Sequence, residues 1–130
     1  MIMDTSAIVA ILRDEREAAA MAKAVEDAGS CHVSAVSYVE AAIVIDSSRS
    51  PVSSRRFDDF FRQGHIMVES VSPAQARIAR EAYRDFGKGR RRAGLNFGDC
   101  FAYALAKEKD EPLLFKGDDF CHTDIESAIE

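Results

Sequence analysis

The chain has 130 residues, of which 47% are hydrophobic and 30% charged, with a formal net charge of −5 at neutral pH. That length suits one domain, residues 1–130, with a core large enough to need no staples, and no apolar run approaches the roughly 20 residues of a membrane span. Met-Ile-Met-Asp at the start lacks a basic region or a small-residue cleavage site, and the three cysteines, Cys31, Cys100 and Cys121, show no CxxC spacing; the expectation is a cytoplasmic protein with reduced thiols, neither a disulfide scaffold nor a zinc module.

Met1 to Met3 reads as a short strand ending at Asp4, and Thr5-Ser6 as the cap of a helix from Ala7 to Leu12. An alanine-rich helix is expected over 15–28, stopping before Gly29. Cys31 to Ser34 reads as a buried strand leading into Ser37-Tyr38-Val39-Glu40, a capping-box pattern that opens a helix running to about Asp46. The polar stretch 47–54, with Pro51, is expected to be a loop, and 55–62 a helix with Phe57, Phe60 and Phe61 on one side. A third strand is expected over 66–71. Ser72-Pro73-Ala74-Gln75 supplies a cap, a proline at the first helical position and a capping glutamine for a helix to Phe86. A glycine-flanked basic loop, 87–94, precedes a helix that starts at Asn96-Phe97-Gly98-Asp99 and runs to about Lys109; Pro112 to Phe115 is a fourth strand, and Thr123 caps a last short helix. Alternating strands and helices favour a parallel sheet of four to five strands covered on both faces, an α/β/α sandwich.

On that plan four carboxylates, Asp4, Glu40, Asp99 and Asp119 or its neighbour Asp118, fall at the carboxyl ends of strands or on the helix turns just beyond. Open α/β sheets bind ligands at that edge. Each acid also has a bland reading: Asp4 as a solvated terminal residue, Glu40 and Asp99 as helix caps, the Asp pair as a turn signal. Together they would repel one another unless a cation intervened. Oxygen ligands without a nearby His or Cys suit Mg²⁺, with Mn²⁺ as substitute, and that chemistry points to metal-assisted phosphodiester hydrolysis with Glu40 orienting the water.

The charge is unevenly spread, with 11 basic and 5 acidic groups in residues 49–92 against 6 and 17 in the rest of the chain. Lys88, Arg90, Arg91 and Arg92 form the densest basic run, immediately before the helix of Asp99, and Lys116 sits beside the acids. These five residues are read as contacts to an RNA backbone, which position a substrate without reading its sequence. Phe57, Phe60, Phe61, Tyr83 and Phe86 have the helical spacing of core or interface residues. His32, His65 and His122 share no ligand spacing.

Taken together, Met1-Ile-Met-Asp4-Thr5-Ser6-Ala7, Glu40 on its helix, Gly98-Asp99-Cys-Phe-Ala-Tyr-Ala-Leu-Ala106 and Pro112-Leu-Leu-Phe-Lys-Gly-Asp-Asp-Phe120 resemble the PIN-domain ribonucleases, and more narrowly the VapC toxins of bacterial VapBC toxin–antitoxin pairs. The resemblance implies a compact single PIN-like domain, Mg²⁺-dependent endonucleolytic cleavage of RNA, a homodimer, and inhibition by a cognate VapB-like antitoxin through which alone an operator DNA is contacted. It makes Asp4 and Asp99 the principal metal ligands, Glu40 the second acid and Asp119 the fourth. Many members carry Thr-x-Asp after the fourth strand; here Phe115-Lys116-Gly117 precede two aspartates, and Asp119 is preferred because it directly precedes Phe120. Two other readings compete: a non-catalytic PIN-like module that binds RNA or a partner, and a phosphoaspartyl enzyme or receiver domain, disfavoured because Asp4-Thr5-Ser6 lacks the second acid of an Asp-x-Asp motif.

Overall fold

The computed structural model describes residues 1–89 and 94–129. Ten elements follow one another: β1 (Ile2–Met3), α1 (Thr5–Leu12), α2 (Ala18–Ala28), β2 (Cys31–Ser34), α3 (Ala35–Asp46), α4 (Pro51–Gln63), β3 (Ile66–Glu69), α5 (Pro73–Phe86), α6 (Phe97–Lys109) and β4 (Leu113–Leu114). The four strands form one parallel sheet in the order β3-β2-β1-β4. Beyond β4, Ser127 adds an isolated parallel bridge to Leu113, and this replaces the short helix expected after Thr123. Thr123 does cap there, its hydroxyl accepting from the Ile125 amide, but only as a local turn.

β1 explains the layering. Its two residues point to opposite faces, as successive strand residues must: Ile2 joins the core under α5 and α6 with Leu95, Ala102, Leu105 and Leu113, while Met3 joins the core under α1 to α4 with Ala7, Ile8, Val33, Ala41 and Leu114. Helices therefore cover both faces, as the alternation in the sequence implied. Phe57 is buried in the second core, where Tyr38, Phe57, Phe60 and Phe61 pack ring against ring at 4.9–5.7 Å; aromatic spacing on α4 thus reports packing. Cys31 and Cys100 are buried, one in each core, and Cys121 is exposed.

Several helix starts differ from the sequence expectation, each for a capping reason. Asp4 itself, rather than Thr5 or Ser6, caps α1 by accepting from the Ser6 amide. α2 begins at Ala18 after a turn through 15–17. α3 is capped by Ser34, not Ser37, so Glu40 lies in the second turn and is released from the capping-box role. α4 begins at Pro51 behind the Ser50 cap, which shortens the expected loop because proline suits the first helical turn. β3 stops at Glu69. α5 starts as expected, with Ser72 accepting from the Gln75 amide.

Strand order puts the switch point between β1, which is followed by α1 and β2 on one side, and β4 on the other. The carboxyl ends of β1 and β4 therefore diverge into chain segments that leave in opposite directions, the usual position of a ligand crevice in an open α/β sheet.

Candidate active site

Asp4 stands at that switch point. Its side chain is 3% exposed, and Oδ2 accepts from the Ser6 amide at 3.0 Å and the Ser6 hydroxyl at 2.6 Å. The Ser6 oxygen in turn accepts from the Lys116 amide at 2.9 Å. One hydroxyl thus fixes the carboxylate after β1 and ties it to the segment after β4. Burial raises the Asp4 carboxyl above its usual range, the Ser6 bonds oppose this, and the charge of Asp119 adds to it.

Glu40 reaches the same place from α3. Its Oε1 accepts from the Thr5 hydroxyl at 3.1 Å, and its carboxylate lies against the bare Cα of Gly98: a Cβ built on that glycine would land on both carboxylate oxygens. Burial raises its pKa first, the Thr5 bond lowers it, and the Asp4 charge raises it again. Asp99, the third residue of α6, forms a reciprocal capping box with Asn96: the Asp99 amide donates to Asn96 Oδ1 at 2.8 Å, and Asp99 Oδ2 accepts from the Asn96 amide at 3.0 Å. The capping reading of Asp99 is therefore correct for one oxygen. Its pKa is nonetheless pushed up to about 7, by burial first and then by the charges of Asp4, Asp119 and Glu40.

Asp119 is exposed. It follows Gly117, whose φ of +94° turns the chain after β4 in a way that side-chain-bearing residues resist. Asp119, and not Asp118, is among the charges acting on Asp4 and Asp99. The four acids therefore come near enough to one another, from four separate segments, for their charges to interact. Among the described residues no ion pair neutralises any of them. No three His, Cys, Asp or Glu groups among those residues close to the spacing of a metal site. The donor set itself, carboxylate oxygens with neither thiolate nor imidazole, fits a hard divalent cation.

The expected RNA contacts fare differently. Arg90, Arg91 and Arg92 lie outside the described residues. Lys88 is exposed at the base of their loop, where its amide donates to the Leu95 carbonyl at 2.7 Å. The Lys116 ammonium is committed to Glu15 at 2.6 Å and Glu17 at 3.5 Å, rather than standing free beside the acids. His32 has a structural partner, Glu69, at 2.6 Å.

Three residues of the pocket escaped the sequence reading. Thr5 and Ser6 resembled a helix cap and turn out to hold Glu40 and Asp4. Gly98 had a signal: a glycine inside the first turn of a well-capped helix weakens that helix unless something needs the space.

The PIN domain family model matches residues 1–126. The chain is 54% identical over 131 aligned positions to "Ribonuclease VapC28" of Mycobacterium tuberculosis, covering 100% of this chain and 98% of the relative. It is 48% identical to "Ribonuclease VapC30" of the same species, over 96% of this chain and 95% of that one, and 49% identical to "Ribonuclease VapC" of Mycolicibacterium smegmatis, over 96% and 97%. Among solved structures it superposes with a TM-score of 0.73 on Mycobacterium tuberculosis VapC20, described as a sarcin-ricin loop cleaving toxin, at 13% identity and with 95% of each chain covered, a likeness of fold. With a PIN match along nearly its whole length and relatives at about half identity from end to end, this chain belongs to the VapC ribonucleases of the PIN-domain family.

Proposed function

We propose that the chain is the toxin of a VapBC-type toxin–antitoxin pair, a Mg²⁺-dependent endoribonuclease that hydrolyses RNA phosphodiester bonds at the pocket of Asp4, Glu40, Asp99 and Asp119. The observation that carries this reading is negative charge gathered from four distant segments at the sheet's switch point, with no ion pair among the described residues to offset it. Such an arrangement costs stability and persists where a cation or substrate gives it a use.

Asp4 and Asp99, the most buried of the four, are assigned as ligands of Mg²⁺, for which Mn²⁺ substitutes. When bound, the ion offsets the pocket's charge, attracts the scissile phosphate and acidifies water. The protein's own part is positioning. Ser6 holds the Asp4 carboxylate with two bonds, and the Asn96 amide holds one oxygen of Asp99. Glu40, held by Thr5 and raised by burial, accepts the proton of the attacking water. Asp119 stands at the exposed side, where substrate enters. Lys88, Arg90, Arg91 and Arg92 hold the RNA backbone; Lys116 joins them on release from Glu15 and Glu17.

Family membership supports the remaining assignments: a cytoplasmic homodimer, silenced by a VapB-like antitoxin that alone contacts operator DNA. No helix of the described residues is long and apolar enough to cross a membrane. The non-catalytic module has one observation in its favour, the absence of a ready metal triad among the described residues.

One experiment separates the two. Purified chain, freed of any co-purified partner, is incubated with structured RNA in Mg²⁺, Mn²⁺ or EDTA. Cleavage is expected only with a divalent ion and is lost in Asp99→Asn. Cleavage that persists in EDTA or in Asp99→Asn overturns the metal mechanism, and RNA binding without cleavage under every divalent ion establishes the module.

A further inference from the structure

A second concavity lies beside the acid pocket, on the other side of the first turn of α6. It is a groove of about 560 Å³ between α5 and α6, lined by Tyr83, Phe97, Phe101, Arg80 and Lys88 over a floor that includes Ala79. That volume is within the range of roughly 300–1,000 Å³ typical of sites for small organic groups. Phe97 is 72% exposed, the most exposed large hydrophobic residue described, and its ring meets Phe101 edge-on at 5.0 Å. It precedes Asp99 by two positions on the same helical turn, with Gly98 between them turned to Glu40.

We propose that this groove takes an unpaired base of the RNA substrate, next to the phosphate presented to the acids, with Phe97 as the stacking face. The inference rests on the ribonuclease reading above and adds a specificity-determining subsite to it. Three observations favour RNA over a protein occupant. Both charged side chains on the groove wall, Arg80 and Lys88, are cations. Arg77, Arg80 and Arg84 are exposed at three- and four-residue spacing on α5, with Lys88 just beyond its end; the exposed acids Glu81 and Asp85 lie between them, and Asp85 pairs with Arg84 at 4.0 Å, so Arg77, Arg80 and Lys88 are the cations a phosphate backbone meets along this element. Arg80 and Lys88 share the groove with Asn96 and Phe97, which belong to the capped first turn of α6 that also carries Asp99. Aromatic faces beside cationic grooves are how proteins hold single strands, because any splayed base offers a π-face while the cations follow the backbone.

The test uses the full chain in EDTA, so that binding is read without cleavage or metal. A short fluorescent single-stranded oligoribonucleotide is titrated alongside the same strand carrying one abasic position, moved stepwise along it. Loss of one aromatic–base stack weakens binding by about 5- to 150-fold. Phe97→Ala is expected to weaken the intact strand within that range and to be neutral toward the strand whose abasic position faces the groove. Phe97→Trp is expected to restore affinity. Arg80→Gln is expected to lower the slope of log affinity against log salt, which Phe97→Ala leaves unchanged. Unchanged affinity in Phe97→Ala overturns the proposal. So does a shift from dimer to monomer in sedimentation with RNA affinity per protomer retained, which assigns the groove to a second copy of the chain. Because no metal is present, failure of the cleavage reading with this pattern intact leaves the subsite standing, and the reverse result removes the subsite alone.

Discussion

Replacing Gly98 by alanine isolates the role of Glu40 from the stability of the fold. Position 98 is helical and carries no positive φ, so alanine is intrinsically favoured there by about 0.5–1 kcal/mol. The added methyl nevertheless occupies the space of the Glu40 carboxylate. That carboxylate ends a flexible side chain, so it gives way, losing the Thr5 bond and with it about 0.5–1.5 kcal/mol. The two effects nearly cancel, and the melting temperature is expected to move by no more than a few degrees. The catalytic effect has no such compensation. A displaced proton acceptor costs on the order of 10²–10⁴ in rate, so single-turnover cleavage of RNA in Mg²⁺ should fall by at least about 100-fold while thermal and urea melts stay close to those of the parent. Combining Gly98→Ala with Glu40→Gln should cost little beyond either alone, since both remove the same positioned group. Wild-type cleavage in Gly98→Ala, or inactivity explained by global unfolding, refutes the reasoning.

Without divalent ions the acid pocket also sets a pH dependence. Asp99 titrates near 7 in the folded protein against an ordinary value of 3.8, so the folded state binds the extra proton and stability is greatest at low pH within this window; it should decline as pH rises from about 4 through 7. Urea melts of the parent in EDTA are expected to show this fall and those of Asp99→Asn a flatter profile; a parent stability rising across the interval contradicts the assignment. Replacing Arg90, Arg91 and Arg92 together by glutamine should weaken binding of unrelated RNA strands to a similar extent and lower the salt slope by about 0.7 for each phosphate no longer neutralised. A slope identical to the parent's removes the basic loop from the interface.

The layered sheet was readable because its signals are local and strong: short apolar runs bounded by cap and turn residues in the strands, and Ser72-Pro73 and Asn96 as caps whose chemistry works within three residues. The general rule about strand ends was the reason to group the four acids, whose charges do act on one another in the fold. The misread starts of α1 and α3 share a cause. More than one capping residue stood at each start, Asp4, Thr5 and Ser6 before α1 and Ser34 and Ser37 before α3, and the earliest caps in both. Glu40 looked like the partner of Ser37 within one helix, whereas its actual partner, Thr5, is 35 residues away, a separation that spacing rules do not span. The Lys116 pair with Glu15 and Glu17 escaped for the same reason. The groove of Phe97 was invisible because its walls belong to two helices, α5 and α6, brought together only by the fold.

The strand order has a temporal consequence. β1 is made before the other three strands, yet one of its two edges stays open until β4, more than 100 positions later, comes to lie beside it. Asp119 follows that last strand. A nascent chain can therefore complete its inner helices and the β1–β2 pairing while the group of acids still lacks Asp119, which arrives only after β4 has been made.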